Sequence, residues 1–242
     1  MLKPLSSLAR TSLRRLVEAA EAEMPGSPGE AYATEARALG REAVERLRLG
    51  FVPDIGPGLT RDGFEGFERF AGRLAIPNLN YNGDVVGVKF RAISDAHKGP
   101  KYDGPPGTLR LYNLQALRRV TDTLVLCEGE IEAGTWTHLG VPAVAIPGAN
   151  NWKDHHRLLF EGIPRVVMVY DDDEIFDEKS GKFRRPGLDL AKKVLKDLEQ
   201  NAATGAVALA PPAGCKDANE ALVAGHGKDL VMMVEKAGRA ES

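Results

Sequence analysis

The 242-residue chain predicts an α/β fold, a parallel doubly wound sheet flanked by helices and preceded by a smaller mixed α+β region. Three observations carry that expectation. Unbroken apolar runs at 124–127, 143–146, 166–170 and 206–209 are each strand length, and such runs suit strands covered on both faces. Helix-length segments separate them, which argues parallel strands joined by right-handed crossovers. Finally, two runs stop abruptly at carboxylates, Leu-Val-Leu-Cys-Glu-Gly-Glu-Ile-Glu at 124–132 and Val-Val-Met-Val-Tyr-Asp-Asp-Asp at 166–173. Ligands of open α/β sheets sit outside the carboxyl ends of the strands. Carboxylates gathered there repel one another and lose hydration, so a hard divalent cation is the expected compensation.

Composition bounds the reading. Hydrophobic residues at 43% and charged residues at 27% are ordinary for a globular protein, and a net charge of −2 shows no global basic excess, so local charge has to be read instead. The two cysteines, Cys127 and Cys215, cannot build a four-ligand zinc site, and Cys127 reads as a small buried hydrophobe. No apolar stretch approaches the ~18 residues of a membrane span and no apolar signal core opens the chain, so a cytoplasmic setting without membrane contact is expected.

In chain order, residues 5–24 place Leu5, Leu8, Leu13, Leu16, Val17 and Ala20 at helical spacing, a docking or oligomerising helix, and Pro25–Gly29 reads as a linker. Residues 31–49 are again helical, with Gly40 as a stop between two short helices, and 54–70 carries no clear period. Arg73–Asn80 and Asp84–Ile93 flank Tyr81-Asn82-Gly83, and Asn-Gly between extended runs signals a hairpin because both residues tolerate positive φ. Its second arm places Val85, Gly87, Lys89 and Arg91 on one face. That face is either solvated surface or the start of a basic cluster. Between Asp84 and Val120 stand seven cations (Lys89, Arg91, Lys98, Lys101, Arg110, Arg118 and Arg119) against three acids, a candidate phosphate-binding surface.

The repeated βα units follow. Helices are expected over 129–139, 153–160 and 188–200, with two closing helices at 217–225 and 227–237. A polar insertion, Ile175–Pro186, separates the strand at 166–170 from its helix and carries Lys179, Lys182, Arg184 and Arg185. It is either a hairpin over the site or a decorated surface turn. Gly129 lets backbone approach a ligand while Glu132, one turn on, points back at the site; Glu132 alternatively complements the helix dipole. Alternation puts Asp171 and Asp173 on one side, as a metal requires. Lys216-Asp217-Ala218-Asn219-Glu220 is a third acidic cluster, or equally a helix N-cap.

Taken together, Glu-Gly ending one strand, Asp-x-Asp ending a later one, and Lys-Asp-Ala-Asn-Glu-x-Leu resemble the TOPRIM domain of DnaG-type replicative primases, closest in wording to the phage primase-helicase branch. Upstream, Gly-Arg-Leu-Ala-Ile-Pro at 72–77, the Asn82–Arg91 run, Pro-Lys-Tyr at 100–102 and Leu-Tyr-Asn-Leu at 111–114 resemble the basic subdomain that precedes TOPRIM, so the likeness covers about 35–237. It implies an N-terminal helix and linker at 1–30, the basic subdomain at 31–120, TOPRIM at 121–225 and a C-terminal helix and tail at 226–242.

The resemblance implies a nucleotidyltransferase, a DNA-directed RNA polymerase of the primase type, making short RNA primers from nucleoside triphosphates on single-stranded DNA. Glu128, Asp171 and Asp173 would be catalytic. Glu128, Asp171, Asp173 and Asp217 would hold Mg²⁺ or Mn²⁺, supported by Glu132 and Asn219, with no zinc. Lys89, Arg91 and Lys101 would contact template, RNA primer or triphosphate. The chain departs from the family in having no zinc ribbon, no P-loop helicase, Glu132 and Asn219 where many relatives carry aspartate, and the insertion at 175–186. A replicative helicase and a separate zinc-binding or initiation module are therefore expected partners, in the host cytoplasm if the chain is phage-encoded. Two readings compete: a TOPRIM nuclease using the same acids, and a catalytically weak nucleic-acid-binding factor of a primosome. A topoisomerase would need a tyrosine nucleophile on a further large domain.

Overall fold

The computed structural model describes residues 5–54, 56, 61–94, 97, 99–105, 110–148, 151–178, 181–201 and 204–239. The chain forms two compact units, Met1–Thr108 and Leu109–Ser242. Among the described residues no helix is long and apolar enough to cross a membrane.

The first unit opens with helix α1 (Ser7–Ala22), which Ser6 caps by accepting from the Ala9 N–H at 3.2 Å. Its stripe of Leu13, Leu16, Val17 and Ala20 is buried against the β-sheet of this unit, so the expected docking helix docks on its own unit. The supposed linker instead starts a new helix: Ser27 caps α2 (Pro28–Ala31), with Pro28 at the first turn where no N–H is needed. That helix runs on into a π turn, Tyr32–Ala36, and Gly40 precedes α3 (Arg41–Arg46).

A four-stranded antiparallel sheet follows, in the order β1 (Gly50–Phe51), β2 (Arg73–Leu79), β3 (Val85–Ala92) and β4 (Tyr102–Asp103). The β2–β3 hairpin stands where expected, but only Gly83 takes positive φ, at 89°. Asn80 closes the loop, its side-chain oxygen accepting from the N–H groups of Asn82 and Asp84 at 2.9 Å, so this is a three-residue hairpin loop rather than a two-residue one. An irregularity at Asn78/Leu79 shifts the register by one residue. Val85 therefore leaves the face of Gly87, Lys89 and Arg91 and joins Val88 and Phe90 in the core, where Phe70 stacks on Phe90 at 3.9 Å.

The second unit holds a parallel sheet in the order β10 (Gly205–Leu209), β7 (Arg165–Val169), β5 (Thr123–Cys127), β6 (Ala143–Ala145). Tyr112 adds an antiparallel bridge to Ala145 at its edge, and Asn113, at φ 63°, donates from its amide to the Ala143 carbonyl at 2.8 Å. Leu124, Leu126, Val166 and Met168 face a core shared with helix α5 (Pro186–Leu198), Trp152 and Phe160. Val125, Cys127, Val167 and Val169 alternate to the other side and are buried too, with α4 (Glu130–His138) and α7 (Gly227–Arg239) on the sheet. Both faces are covered, which is why the strands read as unbroken apolar runs.

Two segments differ from expectation. Residues 154–160 wind as a 3₁₀ helix, because Leu158 and Leu159 point to solvent and no apolar stripe enforces α winding over so short a length. The insertion is a hairpin, β8 (Ile175–Asp177) against β9 (Lys182–Arg184); its Lys179 lies outside the described residues. The last cluster opens helix α6 (Ala218–Val223).

Candidate active site

Strand order alone locates a crevice. From β5 the chain passes to β6 on one side and then returns across to β7 and β10 on the other, so the order reverses between β5 and β7. Ligands of such sheets bind at that switch point, at the carboxyl ends. Glu128 follows β5 and Asp171 follows β7.

The carboxylates there are tied to each other's backbone. Glu128 Oε1 accepts from the Asp171 N–H at 3.0 Å, and Glu132 Oε2 accepts from the Glu128 N–H at 3.1 Å. Glu132, in the first turn of α4, is buried and so points inward rather than out along the helix. Gly129 leaves room for this arrangement, since a Cβ there would stand 3.0 Å from Glu132 Oε1. Asp217 caps α6 by accepting from the Glu220 N–H at 2.7 Å, and the Asp172 N–H donates to the Lys216 carbonyl at 2.7 Å, joining the third cluster to the loop after β7. Asp173 is exposed.

Burial that these hydrogen bonds only partly offset marks the electrostatics. Loss of hydration, reinforced by the charges of Asp171 and Asp173, pushes the Glu128 carboxyl up to about 7. Burial and the neighbouring Asp217 raise Asp171 to about 6, while a hydrogen bond with Glu132 and the charge of Lys216 act in the opposite direction. Glu132 is raised well above the ordinary carboxylate range by burial and by Asp171 and Asp217. Cys127 is raised mainly by its burial, as an inert core thiol would be.

Asp171 Oδ1 is buried and has no hydrogen-bond partner among the described residues. An orphaned, dehydrated carboxylate oxygen amid other acids is the donor chemistry of a hard cation. Among the described residues no three His, Cys, Asp or Glu side chains are arranged to hold a metal ion as they stand, because Glu128 and Glu132 are turned onto backbone N–H groups. The oxygen-only set nevertheless fits Mg²⁺ or Mn²⁺ by its chemistry.

Asn219 is 2% exposed and donates from its amide to Thr135 Oγ1 at 3.0 Å, tying α6 to α4. Two further residues bear on the site. Lys216 contributes its charge to Asp171, and Gly187 supports the carboxylates from below. A Cβ on Gly187 would lie 2.5 Å from Glu128 Oε1 and closer still to the Asp171 carbonyl oxygen, so only glycine fits. The sole sequence signal for it was Pro186-Gly187 at the start of a helix.

In the first unit, Arg91 is buried at 5% exposure, which removes the solvated-face reading for this residue. Its guanidinium donates to the Tyr32 hydroxyl at 2.5 Å and to the Tyr102 hydroxyl, and sits 5.5 and 4.9 Å from the two ring centroids. Arg37 donates to the same Tyr32 hydroxyl at 2.8 Å, and Lys89 Nζ stands 5.5 Å from the Tyr102 centroid. Lys101 is exposed, and Lys98 lies outside the described residues. Tyr32 and Arg37 were invisible as partners because they are over fifty residues away in sequence.

No family model matches the chain. The gene 57 protein of Mycobacterium phage D29 is 36% identical over 168 residues, 67% of this chain and 97% of that protein. The DNA primase of Escherichia coli strain K12 is 26% identical over 170 residues, which cover 57% of this chain but only 29% of the primase. Among solved structures, the DnaG catalytic core has a TM-score of 0.72 at 21% identity, with 94% of this chain and 79% of that one covered. The DnaG primase catalytic domain bound to single-stranded DNA has a TM-score of 0.68 at 21% identity, covering 96% and 80%. These structures share the fold described above.

Proposed function

Because this chain belongs to the DnaG-type primases, in the part that forms their catalytic core, we propose that it synthesises short RNA primers on single-stranded DNA from ribonucleoside triphosphates with Mg²⁺ or Mn²⁺. The observation that carries this reading is the carboxylate set at the switch point, half-buried Glu128 and Asp171 with buried Glu132, with one buried oxygen of Asp171 left unpartnered. Asp171, Asp173 and Asp217 would hold the cation, with Glu128 beside them. Such an ion, when bound, neutralises phosphate charge and acidifies the attacking hydroxyl.

The chain's own residues supply the positioning. Glu128 is fixed by the Asp171 N–H and by Gly187 packed beneath it, and stands nearest the primer 3′-hydroxyl as its proton acceptor or as a metal partner. Glu132 fixes the backbone of Glu128 and crowds Asp171, which adds to the gain from a bound cation. Asn219, through Thr135, locks α6 so that Asp217 stays at its cap. Lys89, Arg91 and Lys101 contact template, primer or triphosphate through phosphates, with little readout of sequence. The unit Met1–Thr108, which carries the basic strand, and the unit Leu109–Ser242, which carries the acidic crevice, are both needed for polymerisation in this reading. A replicative helicase and a separate zinc-binding or initiation module are its proposed partners in the host cytoplasm.

The test is incorporation of labelled ribonucleotides on single-stranded DNA with Mg²⁺ or Mn²⁺, with and without a short annealed RNA primer. Template-dependent products in either arm are expected. DNA degradation without synthesis would replace this reading by the nuclease, and neither product would leave the nucleic-acid-binding factor.

A further inference from the structure

The hairpin of β8 and β9 has no part in the chemistry above, yet its root is the acidic loop itself. Arg185 ion-pairs with Asp172, Arg184 reaches Asp189 Oδ2 at 3.3 Å, and Gly187 is wedged beneath Glu128. Phe176 pairs with Phe183 across the two strands, so both rings stand on one face, in T-shaped contact with centroids 5.3 Å apart. They are 55% and 66% exposed. Two large rings held in water beside a charged site form a patch that a ligand would cover. Phe176 follows Asp173 by three residues, on the order of 10 Å of extended chain, so that ligand would also lie near the carboxylates.

We propose that this hairpin is a stacking platform for an unpaired nucleobase of the single-stranded nucleic acid that serves the acidic site. Phe176 and Phe183 supply the π surface, and Lys182, exposed on β9, supplies positive charge for an adjoining phosphate, while Arg184 and Arg185 anchor the root through their ion pairs. Aromatic faces interleaved with cations bind single strands without regard to sequence, since every base has a π face. The run Lys182-Phe183-Arg184-Arg185 has that composition, and the ion pairs at the root hold it in register with the acidic loop. The proposal rests on the primase reading and names how the strand is gripped next to the site.

The full chain would be titrated against a fluorescein-labelled oligodeoxynucleotide, and against the same strand built with abasic sites, followed by anisotropy. The double variant Phe176→Ser/Phe183→Ser should bind the normal strand about tenfold more weakly than the parent and the abasic strand equally well. Phe176→Trp/Phe183→Trp should retain normal binding, which separates stacking from damage to the hairpin. Equal binding of the normal strand by the serine variant and the parent would overturn the platform while leaving primase activity standing. So would an equal loss on both strands. A parent that binds neither strand and incorporates no ribonucleotide would instead overturn the primase reading, and the platform with it.

Discussion

The two units each bury charge, and they do so in opposite ways. In the first, Arg91 is enclosed by two tyrosines whose hydroxyls accept from it and whose rings face it, so its charge is kept by neutral partners. In the second, half-buried Glu128 and Asp171 and buried Glu132 crowd one another, and their carboxyls are all driven upward. The basic site holds its cation in place with neutral hydrogen-bond partners, whereas the acidic site gains from a cation. That contrast separates a surface that waits for phosphate from a centre that must be loaded before it works.

The largest way to break the comparison is Asp171→Asn, which removes the orphaned charge while keeping shape. Ribonucleotide incorporation should fall by about 10³-fold with an unchanged circular dichroism spectrum. Next comes Gly187→Ala, which displaces Glu128 or the Asp171 backbone by contact; a loss of about 10²-fold in turnover is expected, read by the same assay.

A third prediction concerns stability rather than rate. The folded chain holds a proton on Glu128 that the unfolded chain releases, since the carboxyl moves from 4.5 to about 7. The stability from this group is therefore fully present below about 4.5 and lost as pH rises through about 7, on the order of 3 kcal/mol at most. In chelator, Glu128→Gln should melt higher than the parent at pH 8 and about equally at pH 5, by scanning calorimetry. The smallest effect sharpens the other half of the comparison. Lys89→Ala with Arg91→Ala should flatten the dependence of log K for single-stranded DNA on log salt by about 1. An unchanged slope would remove these residues from the phosphate surface.

The sequence disclosed most of the second unit because its physics is local. Unbroken apolar runs fix parallel strands, and the acids at their ends mark the crevice. What escaped it depended on pairings between elements, most of them distant in sequence. The bulge that turns Val85 into the core comes from a register shift against β2, and no periodicity within β3 reveals it. The cage of Tyr32 and Tyr102 around Arg91 joins a π turn to two strands. Gly187 gains its meaning only from the Glu128 carboxylate above it, 59 positions earlier in the chain. Asn219 reads as a site residue by its place among acids, and the partner of its amide, Thr135 on a neighbouring helix, lies 84 residues earlier in the chain.

The central claim is that the carboxylates at the switch point take up a hard divalent cation, and Mn²⁺ reports this by electron paramagnetic resonance. Titrating the chain at pH 8 should deplete the free-ion signal for the parent, and Asp171→Asn should leave the signal close to that of buffer. Uptake by the variant equal to that of the parent would contradict the account, because the cation would then be held elsewhere.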